Sequence, residues 1–186
     1  MKRFFDIVVA SILFILLILP MLLIAISVRL TSKGPIIYWS DRVGQLNIIF
    51  KMPKFRTMYV DSPTIATHLV VNPNSLLTPI GSLLRRLSLD EFPQLYSIIK
   101  GDMSFVGPRP ALFNQYDLMA LRGEKGVDKL LPGVTGWAQV NGRDKLSISE
   151  KVDLDLQYLN HQSFWFDLKI LWKTLLKVMF QDNISH

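Results

Sequence analysis

Ile7-Val8-Val9-Ala10-Ser11-Ile12-Leu13-Phe14-Ile15-Leu16-Leu17-Ile18-Leu19-Pro20-Met21-Leu22-Leu23-Ile24-Ala25-Ile26-Ser27-Val28 carries no charge, and Ser11 and Ser27 are its only polar side chains. As a helix this run is roughly 33 Å long, enough for the hydrocarbon core of a bilayer. It is too long for a signal peptide and has no clear small-residue cleavage site. Pro20 removes an amide donor and crowds the preceding turn, which predicts a kink. Lys2 and Arg3 lie before the run, and Arg29 and Lys33 after it, so loop charge gives no orientation. The residues favour one spanning helix. The alternative is a helix bent at Pro20 whose two basic ends share one headgroup layer.

Thr31-Ser32-Lys33-Gly34-Pro35 marks the boundary between an anchor, 1–33, and a domain over 34–186. The whole chain of 186 residues has room for one domain plus that anchor. A net charge of +6 suits nucleic acid, anionic headgroups or a phosphorylated substrate. The absence of cysteine excludes disulfides, thiolate metal sites and a cysteine nucleophile. His68, His161 and His186 have no ligand spacing, which argues against zinc.

Beyond the boundary, Ile36 to Trp39 and Ile48 to Phe50 favour strands, and Gly44-Gln45-Leu46-Asn47 between them predicts a hairpin. Lys51-Met52-Pro53-Lys54-Phe55-Arg56-Thr57-Met58 interleaves cations with apolar residues, as either a solvated face or a phosphate contact. Asp61 to Thr78 reads as a loop. Ile80, Leu83, Leu84 and Leu87 follow a helical spacing, with Arg85 and Arg86 on its other faces.

Ser88-Leu89-Asp90-Glu91-Phe92-Pro93-Gln94 then places two carboxylates side by side. They repel, so a cation or another use is expected nearby. Ser88 and Glu91 also match a capping box, although Pro93 would fall inside the helix so begun. A carboxylate pair on a chain that enters a membrane suggests phosphate chemistry on a lipid.

Arg109 stands between Pro108 and Pro110, held either as an exposed turn residue or as a guanidinium aimed at phosphate. Ala111 to Lys129 reads as helical or mixed, Pro132 to Gly136 as a loop, and Asn141-Gly142 as a turn before Arg143. Ser149 opens a helical stretch containing Asp153 and Asp155. Phe164 to Phe180 is strongly apolar, but Lys169, Lys173 and Lys177 recur every four residues. That helix suits a headgroup layer, or packs on the core with its lysines to solvent.

Together these segments resemble the bacterial sugar transferases, the monotopic polyprenyl-phosphate phosphoglycosyl transferases that make the first membrane-bound intermediate of glycan assembly. The resemblance covers nearly the whole chain. It rests on Lys54-Phe55-Arg56-Thr57-Met58, Ser88 to Gln94, Lys100-Gly101-Asp102-Met103-Ser104, Val106-Gly107-Pro108-Arg109-Pro110, Pro132 to Gly136 and Gln139-Val140-Asn141-Gly142-Arg143, in that order. It implies the minimal catalytic form. The expected fold is α+β and mostly helical, with a re-entrant membrane helix broken at Pro20, a small β-hairpin and amphipathic interfacial helices. The expected place is the cytoplasmic face of the bacterial inner membrane.

The resemblance also implies chemistry. Asp90 would attack the sugar-bearing phosphate of a UDP-sugar, release UMP and hold a covalent phospho-sugar. Polyprenyl (undecaprenyl) phosphate would take that phospho-sugar, giving polyprenyl-diphosphate-sugar for O-antigen, capsule, exopolysaccharide or glycoprotein assembly. Glu91 would share the catalytic site and bind Mg2+. Lys54, Arg56, Arg85, Arg109 and Arg143 occupy the family's basic positions, and Asp155 its further acid. Leu19 and Leu131 depart from the pattern, where many members have a serine and a basic residue. The competing reading is a membrane-anchored module that binds anionic lipid or nucleic acid without chemistry. Asp90-Glu91 speaks against it, because a passive anion binder gains nothing from two acids; no nucleic acid partner is expected.

Overall fold

A computed structural model describes residues 1–62, 73–142 and 145–179. The fold is α+β and mostly helical. Its elements are α1 (Lys2–Leu16), α2 (Ile18–Thr31), β1 (Ile37–Val43), β2 (Ile49–Phe55), α3 (Gly81–Arg86), α4 (Gln94–Lys100), β3 (Ser104–Val106), α5 (Tyr116–Glu124), β4 (Gly133–Thr135), α6 (Trp137–Val140), α7 (Ile148–His161) and α8 (Phe164–Met179).

Among the described residues no single helix is long and apolar enough to cross a membrane, but α1 and α2 together are, bent by 61°. The break expected at Pro20 lies instead at Leu17, whose ψ of 2° ends the helical path. A proline ring clashes with the carbonyl four residues back, here that of Leu16, and its missing N–H is harmless in a first turn. Pro20 therefore sits just inside α2, and the chain bends three residues before it.

Both ends of this bent pair are tied to the domain. Arg3 donates to the carbonyls of Ile98, at 2.6 Å, and Ile99, at 3.0 Å, capping the end of α4. Lys2 pairs with Asp167 of α8 at 2.6 Å. At the other end Arg56 donates to Ser32 O at 2.9 Å, Ser32 Oγ at 2.8 Å and the carbonyl of Lys33, closing α2. Ala10 packs with Phe50, Met52, Leu95, Ile98 and Met103, and Val28 with Phe55 and Leu84. Ile98 and Met103 are fully buried, which stabilises by about 1.5–3 kcal/mol each. Away from the domain the pair exposes Ile15, Leu16, Leu19, Leu22 and Leu23.

The hairpin forms, with longer strands than the sequence suggests. Its antiparallel register sets Tyr38 opposite Lys54, Ser40 opposite Met52 and Arg42 opposite Phe50. Alternation puts these six side chains on one face. Pro132 to Gly136, read as a loop, supplies β4, which pairs parallel with β3. A three-residue strand has no periodicity to read. Its glycine is sterically required, since a Cβ on Gly133 would strike the backbone of Gly107.

The capping box expected at Ser88 is absent. Ser88 is left-handed (φ 55°), Leu89–Glu91 is a single 3₁₀ turn, and α4 begins only after Pro93. The box forms at Ser147 and Glu150 instead: Ser147 N–H donates to Glu150 Oε2 at 2.7 Å, and α7 starts at Ile148, one residue before the start expected at Ser149. Of the expected loop over 61–78, residues 63–72 lie outside the described residues, and Pro73–Leu76 is a 3₁₀ turn. The α8 lysines do not simply face solvent. Lys169 and Lys173 lie over the Trp137 ring, 5.7 and 4.9 Å from its centre. Trp165 and Trp172 are on the exposed side.

Candidate active site

Two segments remote in sequence, and the helix just upstream, meet at Asp90 and Glu91. β2 brings Lys54, whose Nζ is 2.7 Å from Glu91 Oε1 and 3.8 Å from Asp90 Oδ2. The loop after β3 brings Arg109, 3.6 Å from the same Glu91 oxygen. α3 brings Arg85, whose Nε donates to Thr57 Oγ1 at 2.9 Å while its charge acts on Asp90. The left-handed Ser88 turns the chain out of α3 so that both carboxylates face these cations. A serine rarely adopts this conformation, and such backbone strain gathers at functional sites.

Burial pushes the Asp90 carboxyl above its ordinary range; Lys54 opposes the rise and Glu91 adds to it. Burial also lowers Arg85. Arg42, which sequence reasoning missed, belongs to the same cluster. It is pushed down to about 10 by burial and by the charge of Arg109. The signal was the hairpin register: Arg42 lies on the face of β1 that carries Lys54 across the ladder, but the strand read from sequence stops at Trp39.

The other expected residues are placed differently. Arg56 does not join the cluster; its guanidinium is committed to the end of α2. Asp155 does not join it either. It is buried and pairs with Arg122 at 2.7 Å, and Arg122 in turn donates to the Arg109 carbonyl at 2.9 Å. Asp155 thus reaches the site through the backbone of Arg109. Burial raises its carboxyl against the pull of Arg122. Arg143 lies outside the described residues, between Gly142 and Lys145.

On one side of Glu91 and Arg109 opens a cleft of about 690 Å³. The bend of the anchor (Leu13, Leu17), Phe92, Leu95, Phe105 and Leu171 form its apolar walls, and Lys145 and Lys177 add charge. Glu91 and Arg109 line it; Asp90, Lys54, Arg85 and Arg42 do not, and Lys54 and Arg42 belong to the hairpin. The arrangement is an anionic pair ringed by cations at the head of an apolar groove. It can hold a phosphate whose substituent is greasy.

No group of three or more acidic, histidine or cysteine side chains that could hold a metal ion occurs among the described residues. Asp90 and Glu91 are nevertheless adjacent oxygen donors. Mg2+ is usually held by one or two carboxylates together with substrate phosphates, so the donor set suits it.

The sequence profile of the family described as Bacterial sugar transferase matches residues 1–181. The chain is 41% identical to the UDP-glucose:undecaprenyl-phosphate glucose-1-phosphate transferase of Escherichia coli (strain K12), over 95% of this chain and 40% of that protein. It is 38% identical to the undecaprenyl-phosphate glucose phosphotransferase of Komagataeibacter xylinus, over 98% of this chain and 36% of that protein. It is 39% identical to the uncharacterized sugar transferase EpsL of Bacillus subtilis (strain 168), over 100% of this chain and 90% of that protein. It therefore spans well under half the length of the first two and most of the third.

Proposed function

The chain belongs to the bacterial sugar transferase family, and on that premise we propose that it moves a sugar-1-phosphate from a UDP-sugar to polyprenyl phosphate, through a phospho-sugar carried on Asp90. The observation that carries this reading is the cation-ringed Asp90-Glu91 pair at the head of a cleft walled by the anchor's own bend.

In the first half-reaction an Asp90 oxygen attacks the sugar-bearing phosphorus. The new O–P bond forms as the bond to the UMP oxygen breaks, and the electron pair leaves with UMP. Lys54 and Arg85 flank the attacked phosphate and offset the charge that develops on it. In the second half-reaction the polyprenyl phosphate oxygen attacks the same phosphorus and Asp90 departs as a carboxylate. One site serves both transfers because the attacked phosphorus stays on Asp90 while UMP and acceptor exchange. The apolar cleft suits the polyprenyl chain, and Arg109 at its head suits the acceptor phosphate. Arg122 and Asp155 hold the Arg109 backbone in place.

Glu91, with Asp90 beside it, would hold Mg2+ near the diphosphate. A bound magnesium ion supplies charge neutralisation there.

The anchor is read as re-entrant, with both ends on the cytoplasmic face of the inner membrane. In support, the 61° bend lies between two ends that Arg3 and Arg56 fasten to one domain. A helix whose two ends are held by the same domain returns to the side it came from. Trp165 and Trp172 are exposed on α8, which suits an interfacial helix.

The test is UMP release by detergent-solubilised protein, given a panel of UDP-sugars with polyprenyl phosphate, with and without magnesium. Release with a donor, dependent on magnesium, is the expected result. No release with any donor from folded protein would favour a non-catalytic anion-binding module.

A further inference from the structure

Arg42 is held by two bonds: Nε donates to Ser40 Oγ at 2.9 Å, and Nη1 to the carbonyl of Pro110 at 3.2 Å. A backbone bridge from Arg42 to Leu112 fixes the strand against the Arg109 loop. The fork is thereby set beside the Arg109 guanidinium, a like charge. Among the described residues, Lys54, Arg85, Arg109 and Arg42 are four cations around the two carboxylates Asp90 and Glu91. Arg42 does not line the apolar cleft and belongs to the hairpin.

From this geometry we propose that Arg42 and Arg109 together seat the departing phosphate of UMP. The inference rests on the reaction proposed above and assigns one of its two phosphates. The attacked phosphate must lie at Asp90, between Lys54 and Arg85. The second phosphate of the donor then falls toward Arg109 and Arg42, across Glu91. Breaking its bridging bond leaves the electron pair on the UMP oxygen, so that phosphate goes from one negative charge to two. With a second pKa of about 6, a phosphate monoester departs at neutral pH without taking a proton. It needs fixed positive charge and no general acid, and a guanidinium pair supplies that. The charge gained on departure is met only in the transition state and product, so Arg42 acts on kcat more than on donor KM.

The experiment compares wild type, Arg42→Gln and Arg42→Lys in full-length, detergent-solubilised protein. It measures steady-state kinetics for donor and acceptor, and inhibition by UMP and by uridine. Arg42→Gln is expected to lower kcat and to raise the UMP inhibition constant by about tenfold or more, the loss of one charged hydrogen bond. Uridine inhibition stays at its wild-type value, and Arg42→Lys falls between. An unchanged UMP constant overturns the proposal. So does an equal loss for uridine, or a loss confined to the acceptor. Should Arg42→Gln not fold, Arg42→Lys decides by the same readouts, an unchanged UMP constant again overturning the proposal. A wild-type protein that releases no UMP defeats the parent reaction instead, and shows this before any variant is compared.

Discussion

The Nζ of Lys54 lies 2.7 Å from Glu91 Oε1, so a cation from the hairpin and a carboxylate from a 3₁₀ turn 37 residues on are joined at the centre of the site. The same ammonium is 3.8 Å from Asp90 and is the strongest neighbour acting to keep it ionised. Lys54→Gln should therefore lower turnover by about 10²-fold or more, the usual cost of removing one preorganised charge donor. Steady-state UMP release measures it, and a variant within a few-fold of wild type would remove Lys54 from the chemistry.

Asp90 attacks as a carboxylate, and burial raises its pKa. Activity is then lost as pH falls through that raised value. The acid limb of kcat/KM should stand above the ordinary aspartate value of about 3.9. Lys54 opposes the rise, so in Lys54→Gln the limb moves further up. By linkage the native state binds this proton more tightly than the unfolded chain, so ionising Asp90 as pH rises costs stability. Asp90→Asn should accordingly melt no lower than wild type at neutral pH while losing turnover.

Arg122 and Asp155 form a buried pair, in which burial raises the Asp155 carboxyl against the pull of Arg122. Removing one partner strands the other. Arg122→Met and Asp155→Leu should each destabilise by about 3–5 kcal/mol, and the double variant by less than either alone. Thermal melts read this directly. The double variant, folded but without a donor to the Arg109 carbonyl, should still lose turnover.

Both ends of the anchor are fastened to one domain, and the chain has no native cysteine to confuse labelling. Single cysteines at Met1 and at Lys33 should both resist a membrane-impermeant maleimide applied from the periplasmic side, and both react in inverted vesicles. Opposite accessibility of the two sites would mean a spanning helix.

Much of the fold is legible where the sequence is periodic or long: the anchor run, the helix over Ile80 to Leu87, α7, α8 and the hairpin. What stays hidden depends on contacts between remote residues. The bend lies at Leu17 because the proline's clash acts four residues upstream, so the sequence marks the cause and not the place. Ser88-x-x-Glu91 reads as a cap because the motif is local, whereas the left-handed turn there is set by the cations that Asp90 and Glu91 must meet. β4 has three residues and no pattern of its own. At the site, Asp90, Glu91, Lys54, Arg85 and Arg109 are joined in the sequence by the family resemblance, since each segment alone also reads as a cap, a solvated face or an exposed turn. Arg42 emerges only from strand register. Arg56 and Asp155 carry the right charge, but the structure commits one to the end of α2 and the other to Arg122.

The measurement that bears most directly on covalent transfer is the intact mass of the full-length protein incubated with its UDP-sugar and magnesium, without acceptor. Covalent transfer through Asp90 predicts UMP release stoichiometric with enzyme and a mass increase equal to one sugar phosphate. The increase should map to Asp90, be absent in Asp90→Asn, and be discharged by polyprenyl phosphate. UMP released only when acceptor is present, with no adduct on the protein, would contradict it and make the transfer direct.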